Sequence, residues 1–359
     1  MNKNHFGVIM AGGVGSRFWP LSTTKNPKQF HDILGTGRTF LQQTFDRLAK
    51  IIPTDQIYVV TLEEYVELTL EQLPELTPEQ IIGEPYGMNT APSNLYASLL
   101  IHEKNPNANI VVAPSDHVIL DETTFLKKLQ FALEQAEKNE ILVTLGIKPT
   151  RPDTGYGYIQ FIQEKGADIK KVKTFTEKPG EELAEVLYQS GDFLWNAGIF
   201  IWQSKSILAS FQELLPEMVE AFKTDESIAE LRKNQEKIQQ IYSIVQMISI
   251  DNGILEKAEN VYVIPSSFGW SDLGTWKSLY EQLDKNEDNN VIKGKHVLAY
   301  NSKDSLIYTN QKKAIIVDGL DNFVVVDTKN ALLICPMDKD QTLKAFVSDL
   351  KLNKGEDFT

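Results

Sequence analysis

Phe6-Gly-Val-Ile-Met10 runs directly into Ala11-Gly12-Gly13-Val14-Gly15-Ser16-Arg17, and this junction decides how the chain is read. The apolar run Phe6 to Met10 has the length and content of a short buried strand. Behind it the backbone amides from Ala11 to Ser16, with no Cβ in the way at Gly12, Gly13 and Gly15, can converge on phosphate oxygens. Arg17 adds a fixed cation, and Lys28, in Asn26-Pro-Lys-Gln-Phe30, adds a second. A dinucleotide fingerprint would require a third glycine near Phe18, and a Walker A loop would require Gly-Lys followed by Ser or Thr; neither is present. Gly-Gly-x-Gly alone reads as readily as a bare turn. With Arg17, Trp19-Pro20, Ser22 and Pro27-Lys28-Gln29-Phe30 attached, nucleotide phosphate is the better reading.

Working outward, strand-like runs at Gln56 to Thr61, Asn109 to Ala113 and Ile141 to Gly146 alternate with helical spacing over Thr39 to Ile51, Thr90 to Glu103 and Thr123 to Lys138. Such alternation predicts an α/β, Rossmann-like, mostly parallel mixed sheet flanked by helices. Ligands of these sheets collect beyond the carboxyl ends of the strands, where Gly12 to Arg17 and Pro114 to His117 fall. From Tyr156 to Trp202 strands dominate, at Tyr158 to Gln163, Val172 to Thr176 and Gly198 to Trp202, with one helix over Glu181 to Gln189. A helical stretch is expected over Ser204 to Val245. The polar, Asn-rich segment Asp284 to Asn290 reads as a linker, which divides the chain into a catalytic domain, 1–283, and a small β-rich domain, 284–359. That tail carries short β-like pieces at Val291 to Tyr300, Ser305 to Tyr308, Ala314 to Val317, Phe323 to Asp327 and Ala331 to Cys335, then a helix over Gln341 to Leu350.

The 359 residues can bury a full core. With 36 Lys and Arg against 49 Asp and Glu the net charge is −13, so there is no global footprint for nucleic acid or an anionic membrane, and phosphate must be held by local cations and metal. Cys335, alone among Leu332, Leu333 and Ile334, excludes an intramolecular disulfide and reads as a buried thiol of a reducing compartment. No cationic lead with an apolar core stands at the N-terminus, and no apolar run approaches the roughly 18 to 20 residues that span a bilayer, so a cytoplasmic, soluble protein is expected.

Further clusters carry chemistry. Asp116, in Ala113-Pro-Ser-Asp-His117, follows an apolar strand at its carboxyl end. Asp272 stands in Gly269-Trp-Ser-Asp-Leu-Gly-Thr-Trp276. Either one alone reads equally as a turn cap. In Thr154-Gly-Tyr-Gly-Tyr-Ile159, Gly155 and Gly157, on either side of the candidate sugar-binding Tyr156, allow close backbone approach to a ligand or a simple hairpin turn. In Thr176-Glu-Lys-Pro179, Lys178 can meet a phosphate as a point charge and Glu177 can accept from sugar hydroxyls, although a solvated pair is the bland reading. Asn196, in Leu194-Trp-Asn-Ala-Gly-Ile-Phe200, offers a donor and an acceptor beside Trp195, whose ring can equally pack a core.

Taken together these motifs, spread from residue 10 to 276, resemble the sugar-phosphate nucleotidyltransferases. Phe18-Trp19-Pro20-Leu21-Ser22 with Pro27-Lys28-Gln29-Phe30 resembles the mannose-1-phosphate guanylyltransferase branch in particular. The resemblance implies a GT-A-like nucleotidyltransferase domain with a β-helix-like tail. It implies transfer of GMP from GTP to α-D-mannose 1-phosphate, with Asp116 and Asp272 binding Mg²⁺ (Mn²⁺ as the alternative), the choice of an oxygen-seeking cation leaving His117 a structural neighbour. Gly83-Glu84-Pro-Tyr-Gly-Met-Asn89-Thr90 resembles the base-recognition segment, so Glu84, Asn89 and Thr90, with Ser115, join the nucleotide side; Met88 stands where the family commonly has Arg. Asn252-Gly253 likewise replaces a more usual Tyr and small residue, while Asp251 and Glu256 match. No long C-terminal extension of the kind that carries phosphomannose isomerase activity in two-function relatives is present, and none of that activity is expected.

The implied reaction is attack of mannose 1-phosphate on the α-phosphorus of GTP, giving GDP-mannose and pyrophosphate. Arg17 would hold the β- and γ-phosphates, Lys28 the α-phosphate and Lys178 the sugar phosphate. Partners are then the two substrates, with a homodimer as the candidate assembly. Another nucleoside triphosphate, another hexose or heptose 1-phosphate, or a non-catalytic sugar-nucleotide sensor are the alternatives.

Overall fold

The computed structural model describes every residue except Lys165, and every side chain except also those of Asp340, Gln341 and Glu356. The chain divides into two compact units that alternate along the sequence. The first comprises Met1–Gly12, Leu41–Ser115 and Ile119–Trp270, the second Gly13–Phe40, Asp116–Val118 and Ser271–Thr359. A cut between residues 283 and 284 follows chain order; these units do not, because the segment that carries Arg17 and Lys28 groups with the C-terminal residues.

Strands of the first half are β1 (His5–Met10), β2 (Ile57–Leu62), β3 (Ile81–Glu84), β4 (Asn109–Pro114) and a two-residue β5 (Val118–Ile119). There follow β6 (Leu142–Ile147), β7 (Tyr158–Phe161), β8 (Lys170–Thr176), β9 (Phe193–Gln203), β10 (Val261–Ser266) and a two-residue β11 (Trp270–Ser271). Nine of these make one sheet in the order β3-β2-β1-β4-β9-β6-β10-β8-β7. The β3-β2-β1-β4 half is parallel, whereas β9 runs antiparallel to both β4 and β6, so the sheet is mixed. Met10 is in register with both Val60 and Pro114, and Leu62 with Glu84. Ala11–Gly12, Ser115 and Glu84 therefore leave the sheet at one end, the carboxyl end of the parallel strands.

The helices are α1 (Phe40–Leu48), α2 (Val66–Gln72), α3 (Thr90–Lys104), α4 (Glu122–Lys138), α5 (Glu181–Ser190), α6 (Ser204–Leu214), α7 (Pro216–Ala221), α8 (Ile228–Leu231), α9 (Gln235–Ile244), α10 (Trp276–Gln282) and α11 (Leu343–Lys354). Burial of α3 is nearly all round, from Ala91 to Ile101, while α4 buries one stripe, Phe125, Leu129, Ala132, Leu133 and Ala136. The stretch 204–245, expected as one helical run, is four helices. Pro216 opens α7, and the side chains of Ser227 and Asn234 cap α8 and α9 by accepting from the Glu230 and Lys237 amides. Besides the two-residue β5 and β11, two strands of the nine-stranded sheet escape the sequence reading. The segment Ile81–Glu84 is four residues interrupted by Gly83, and Val261–Ser266 carries a proline, so neither shows a clean period. Among the described residues no helix is long and apolar enough to cross a membrane.

In the second unit the chain coils. Strands β12 (Val291–Lys293), β14 (Leu306–Thr309) and β16 (Phe323–Asp327) stack in parallel in one sheet, closed by the antiparallel β17 (Leu332–Pro336), while β13 (Val297–Tyr300) and β15 (Ile315–Asp318) pair in parallel in another. Register pairs Val291 with Leu306 and Leu306 with Val324, so each turn returns to the same sheet, which is the repeat of a β-helix. The stretch 291–300, expected as one piece, is two strands split at Gly294. Cys335 is buried, as expected. Phe18, Leu21, Phe40, Trp276, Leu306, Tyr308, Val324 and Cys335 share one core cluster, so the glycine-loop arm packs on the coil. Trp276, fully buried, lies 4.8 Å from Phe18 and 5.5 Å from Tyr308 by ring centroids, and its indole N–H donates to Trp19 O at 3.1 Å. Trp276→Ala is expected to cost about 3–5 kcal/mol by opening a cavity there; an unchanged urea midpoint would show that this contact does not hold the unit.

Candidate active site

In the second unit the geometry is set by Gly15. Its φ of 71° is left-handed, and a Cβ built on it would lie 2.5 Å from Lys28 Cβ, so any side chain is excluded twice over. The Lys28 amide donates to Val14 O at 3.2 Å, and the Lys28 side chain, 3% exposed, sets Nζ over the rings of Phe18 and Phe40, whose centroids lie 5.2 and 5.5 Å away. That ammonium donates to Asp116 Oδ2 at 2.9 Å and to the backbone carbonyl of Asp272 at 2.8 Å. Burial works against ionisation of Asp116, but the charges of Lys28 and His117 outweigh it and hold the carboxyl below the usual aspartate range. Asp272 is held in a turn: its Oδ1 accepts from the Gly274 amide at 3.0 Å, and the next residue, Leu273, has a φ of 42°. Non-glycine residues in this region concentrate at functional sites. Arg17, in a one-turn helix from Ser16 to Phe18, has a buried Nε with no hydrogen-bond partner among the described residues. Lys28, Asp116 and Asp272, distant in sequence, are thus brought together.

Asp116 and Asp272 each carry a carboxylate of the kind a divalent cation takes. Both are hard oxygen ligands, and among the described residues no three His, Cys, Asp or Glu side chains converge. A pair of carboxylates, completed by substrate oxygens and water, is the donor set Mg²⁺ takes, so the residues fit.

The first unit holds two clusters. In one, Glu84 at the end of β3 is 4% exposed, and its Oε1 accepts from Ser93 Oγ and from Tyr242 OH, each at 2.7 Å. Burial pushes this carboxyl up to about 7 against the pull of those two donors. Asn89, with a φ of 68°, begins α3 and accepts from the Thr90 amide. The Thr90 hydroxyl accepts from the Ile250 amide at 2.8 Å, and Ser115 is tied through its backbone, its amide to Met10 O and its carbonyl to Thr44 Oγ1. Ala11 and Gly12 follow β1; the Ala11 amide donates to Val60 O. Met88 packs against the main core, which accounts for an apolar residue there.

In the other cluster Asn196 is the hub. Its Oδ1 accepts from Thr144 Oγ1 at 3.0 Å and the Gly198 amide at 3.1 Å, and its Nδ2 donates to Asp251 Oδ1 at 2.9 Å. A Cβ on Gly157 would lie 2.6 Å from Glu177 Oε2 and 3.4 Å from Asn196 Cβ, so this glycine leaves the room in which Glu177 and Asn196 lie side by side. Lys178, with a φ of 42°, is 62% exposed and pairs with Glu177. Burial first, then the charge of Glu177, push Asp251 up to about 7. Tyr156 packs its ring 4.8 Å from Trp195 and 5.0 Å from Trp270, while Gly155 donates its amide to Asp153. Asp251 is not among the expected site residues. It stands on a single π-helical turn, Asp251–Leu255, and such turns are frequent at functional sites. Ser93 and Tyr242 carry no sequence signal: a serine inside a helix and a tyrosine at core spacing.

A nucleotidyl transferase family model matches residues 6–289, and a MannoseP isomerase/GMP-like beta-helix domain model matches residues 294–350. The chain is 36% identical over 352 residues to a mannose-1-phosphate guanylyltransferase of Salmonella muenchen, covering 96% of this chain and 73% of that protein. The chain belongs to the mannose-1-phosphate guanylyltransferase family of nucleotidyl transferases. Alginate biosynthesis protein AlgA of Pseudomonas fluorescens is 35% identical over 352 residues, 96% of this chain and 71% of its own length. A crystal structure described as mannose-1-phosphate geranyltransferase from Thermus thermophilus is 28% identical and superposes with a TM-score of 0.85 over 97% of this chain and 99% of that one. The family match covers the coil as well as the sheet.

Two outcomes follow from these geometries. Gly15→Ala is expected to displace Lys28 and cut turnover of this guanylyltransferase-family chain at least about 10²-fold, the effect of losing one electrostatic contact; normal turnover would remove the loop from the chemistry. A native Asp251 that titrates at about 7 binds more protons than an unfolded one above pH 4, so its contribution to stability falls as pH rises from about 4 to 7. Asp251→Asn should flatten that slope in denaturant melts.

Proposed function

We propose that the protein transfers GMP from GTP to α-D-mannose 1-phosphate, giving GDP-mannose and pyrophosphate. The observation that carries this reading is the meeting of Lys28 with Asp116 and Asp272, in a chain whose relatives bear the guanylyltransferase name. An oxygen of the sugar phosphate forms a bond to the α-phosphorus of GTP as the bond to the bridging oxygen of the β-phosphate breaks. A phosphate monoester has a second pKa of about 6, so the nucleophile is already largely dianionic and needs no general base.

Catalysis then rests on alignment and charge. Amides from Ala11 to Ser16 cradle the nucleotide phosphates, Arg17 holds the departing β- and γ-phosphates with the help of its unpartnered Nε, and Lys28 steadies the α-phosphate. Glu177 and Asn196 accept and donate to sugar hydroxyls against the Tyr156 ring, with Gly155 beside it, and Lys178 meets the sugar phosphate. Asp116 and Asp272 hold Mg²⁺, or Mn²⁺, which when bound neutralises phosphate charge. On the base side, Glu84 with Asn89, Thr90 and Ser115 lines the nucleotide. A carboxylate oxygen carries two lone pairs, and guanine is the base that presents two adjacent N–H groups, at N1 and N2, on one edge, so Glu84 suits GTP over ATP or UTP. We place the protein in the cytoplasm, where a buried Cys335 stays reduced.

Pyrophosphate release measured with GTP, ATP, UTP and dTTP against several sugar 1-phosphates tests the reading. Release confined to GTP with mannose 1-phosphate is expected; release with another pair keeps the mechanism and changes the substrate, and sugar-nucleotide binding without release makes the protein a sensor. Asp272→Asn should lose about 10² to 10³ in turnover at limiting Mg²⁺; wild-type turnover would refute the metal assignment.

A further inference from the structure

Both hydrogen bonds to Glu84 land on the same oxygen. Ser93 Oγ, from α3, and Tyr242 OH, from α9, each lie 2.7 Å from Oε1. Among the described residues no hydrogen bond is made at Oε2, which lies 3.9 Å from the point where a Cβ on Gly12 would stand. One oxygen is thus fixed from behind, and the other faces Gly12. Tyr242 is fully buried in an aromatic cluster with Tyr96, at 6.5 Å, and Phe222, at 6.2 Å, so its ring has no freedom to swing away.

We propose that Tyr242 is a positioning residue for guanine recognition: its hydroxyl, delivered by α9 to Oε1, aims Oε2 of Glu84 at the N1–H and N2 amino group of the base. This rests on the reading of Glu84 given above. A carboxylate at the end of a short edge strand could rotate freely; two donors on one oxygen define its plane and leave the other oxygen's lone pairs for the ligand. The same bonds favour the ionised form, which is the form that accepts from two donors, against the burial that pushes this carboxyl up to about 7. Other titratable or charged groups lie on the neighbouring elements. They are Tyr96 on α3; Glu63, just after β2 and beside Gly83; and Arg232, next to α8, which donates to Ile81 O at 2.6 Å at the start of β3. None of these three hydrogen-bonds the carboxyl, so the phenol and the Ser93 hydroxyl are its direct donors.

The alternative for Tyr242 is a core residue whose hydroxyl merely finds a partner. Steady-state kinetics over a range from mildly acidic to mildly basic pH with GTP and with ITP, which lacks the N2 amino group, separate the two. In Tyr242→Phe the KM for GTP should rise roughly tenfold, the scale of one lost hydrogen bond to a charged group, with a smaller change in kcat and in the KM for mannose 1-phosphate. The preference for GTP over ITP should shrink. Without the phenol the Glu84 pKa rises further, so the acid limb of kcat/KM for GTP should move to higher pH. Ser93→Ala, which removes a donor from the same oxygen, should move that limb in the same direction and carries the test if Tyr242→Phe does not fold. Glu84→Gln is run beside them. If it leaves the GTP preference intact, the reading of Glu84 fails and the proposal with it; if it abolishes that preference while the other two variants keep the wild-type KM and acid limb, the positioning role alone is overturned.

Discussion

A buried ammonium needs partners, and the second unit is organised around supplying them to Lys28. Leaving such a charge unpaired out of water costs several kcal/mol, so the group is viable only where acceptors meet it. The Asp116 carboxylate and the Asp272 carbonyl do so at 2.9 and 2.8 Å, with two aromatic faces alongside. Much else follows from this. Gly15 must lack a side chain so that the Lys28 side chain can pass, Leu273 takes a left-handed conformation beside Asp272, and the charge of Lys28 helps hold the Asp116 carboxyl below the usual aspartate range.

The C-terminal coil has a structural part in that arrangement. Trp276, backed by Tyr308, receives Phe18, and the indole of Trp19 donates to the carbonyl of Phe358 at 2.7 Å, so residues of the C-terminal segment fix the turn that carries Arg17. Loops rich in glycine have few contacts of their own and would be mobile without such backing. The coil is therefore a support for the glycine-loop arm, which explains why the two group together although far apart in sequence.

In the first unit two carboxyls, Glu84 and Asp251, are both pushed up to about 7 by burial, yet each is anchored on one oxygen by neutral donors. Neutral anchors orient a carboxylate without cancelling its charge, as a lysine would. Such groups suit ligands that bring N–H or O–H donors, and their poise near neutrality follows from desolvation only partly offset by hydrogen bonds. A buried ammonium met by a carboxylate and buried carboxyls met by neutral donors are thus two different solutions to burying polar groups within one chain.

The local chemistry was legible in the sequence because it depends on neighbours in the chain. The strand Phe6 to Met10 and its glycine exit, the parallel alternation through Asn109 to Ala113, the Asp116 and Asp272 motifs and the Glu177-Lys178 pair are each contiguous, with periods or spacings that carry their own physical meaning. Short elements escaped: Ile81–Glu84 is too brief for a period, and the breaks at Pro216, Ser227 and Asn234 are weak against a long polar helical pattern. What only tertiary structure decided is which distant residues meet. That Lys28 places its charge on Asp116, that the arm 13–40 belongs with the coil, that Asp251 reaches Asn196 and that Tyr242 reaches Glu84 are matters of packing between elements far apart in the chain. A tyrosine at core spacing looks the same in sequence whether its hydroxyl ends on a carbonyl or on a functional carboxylate, and only the fold places the partner.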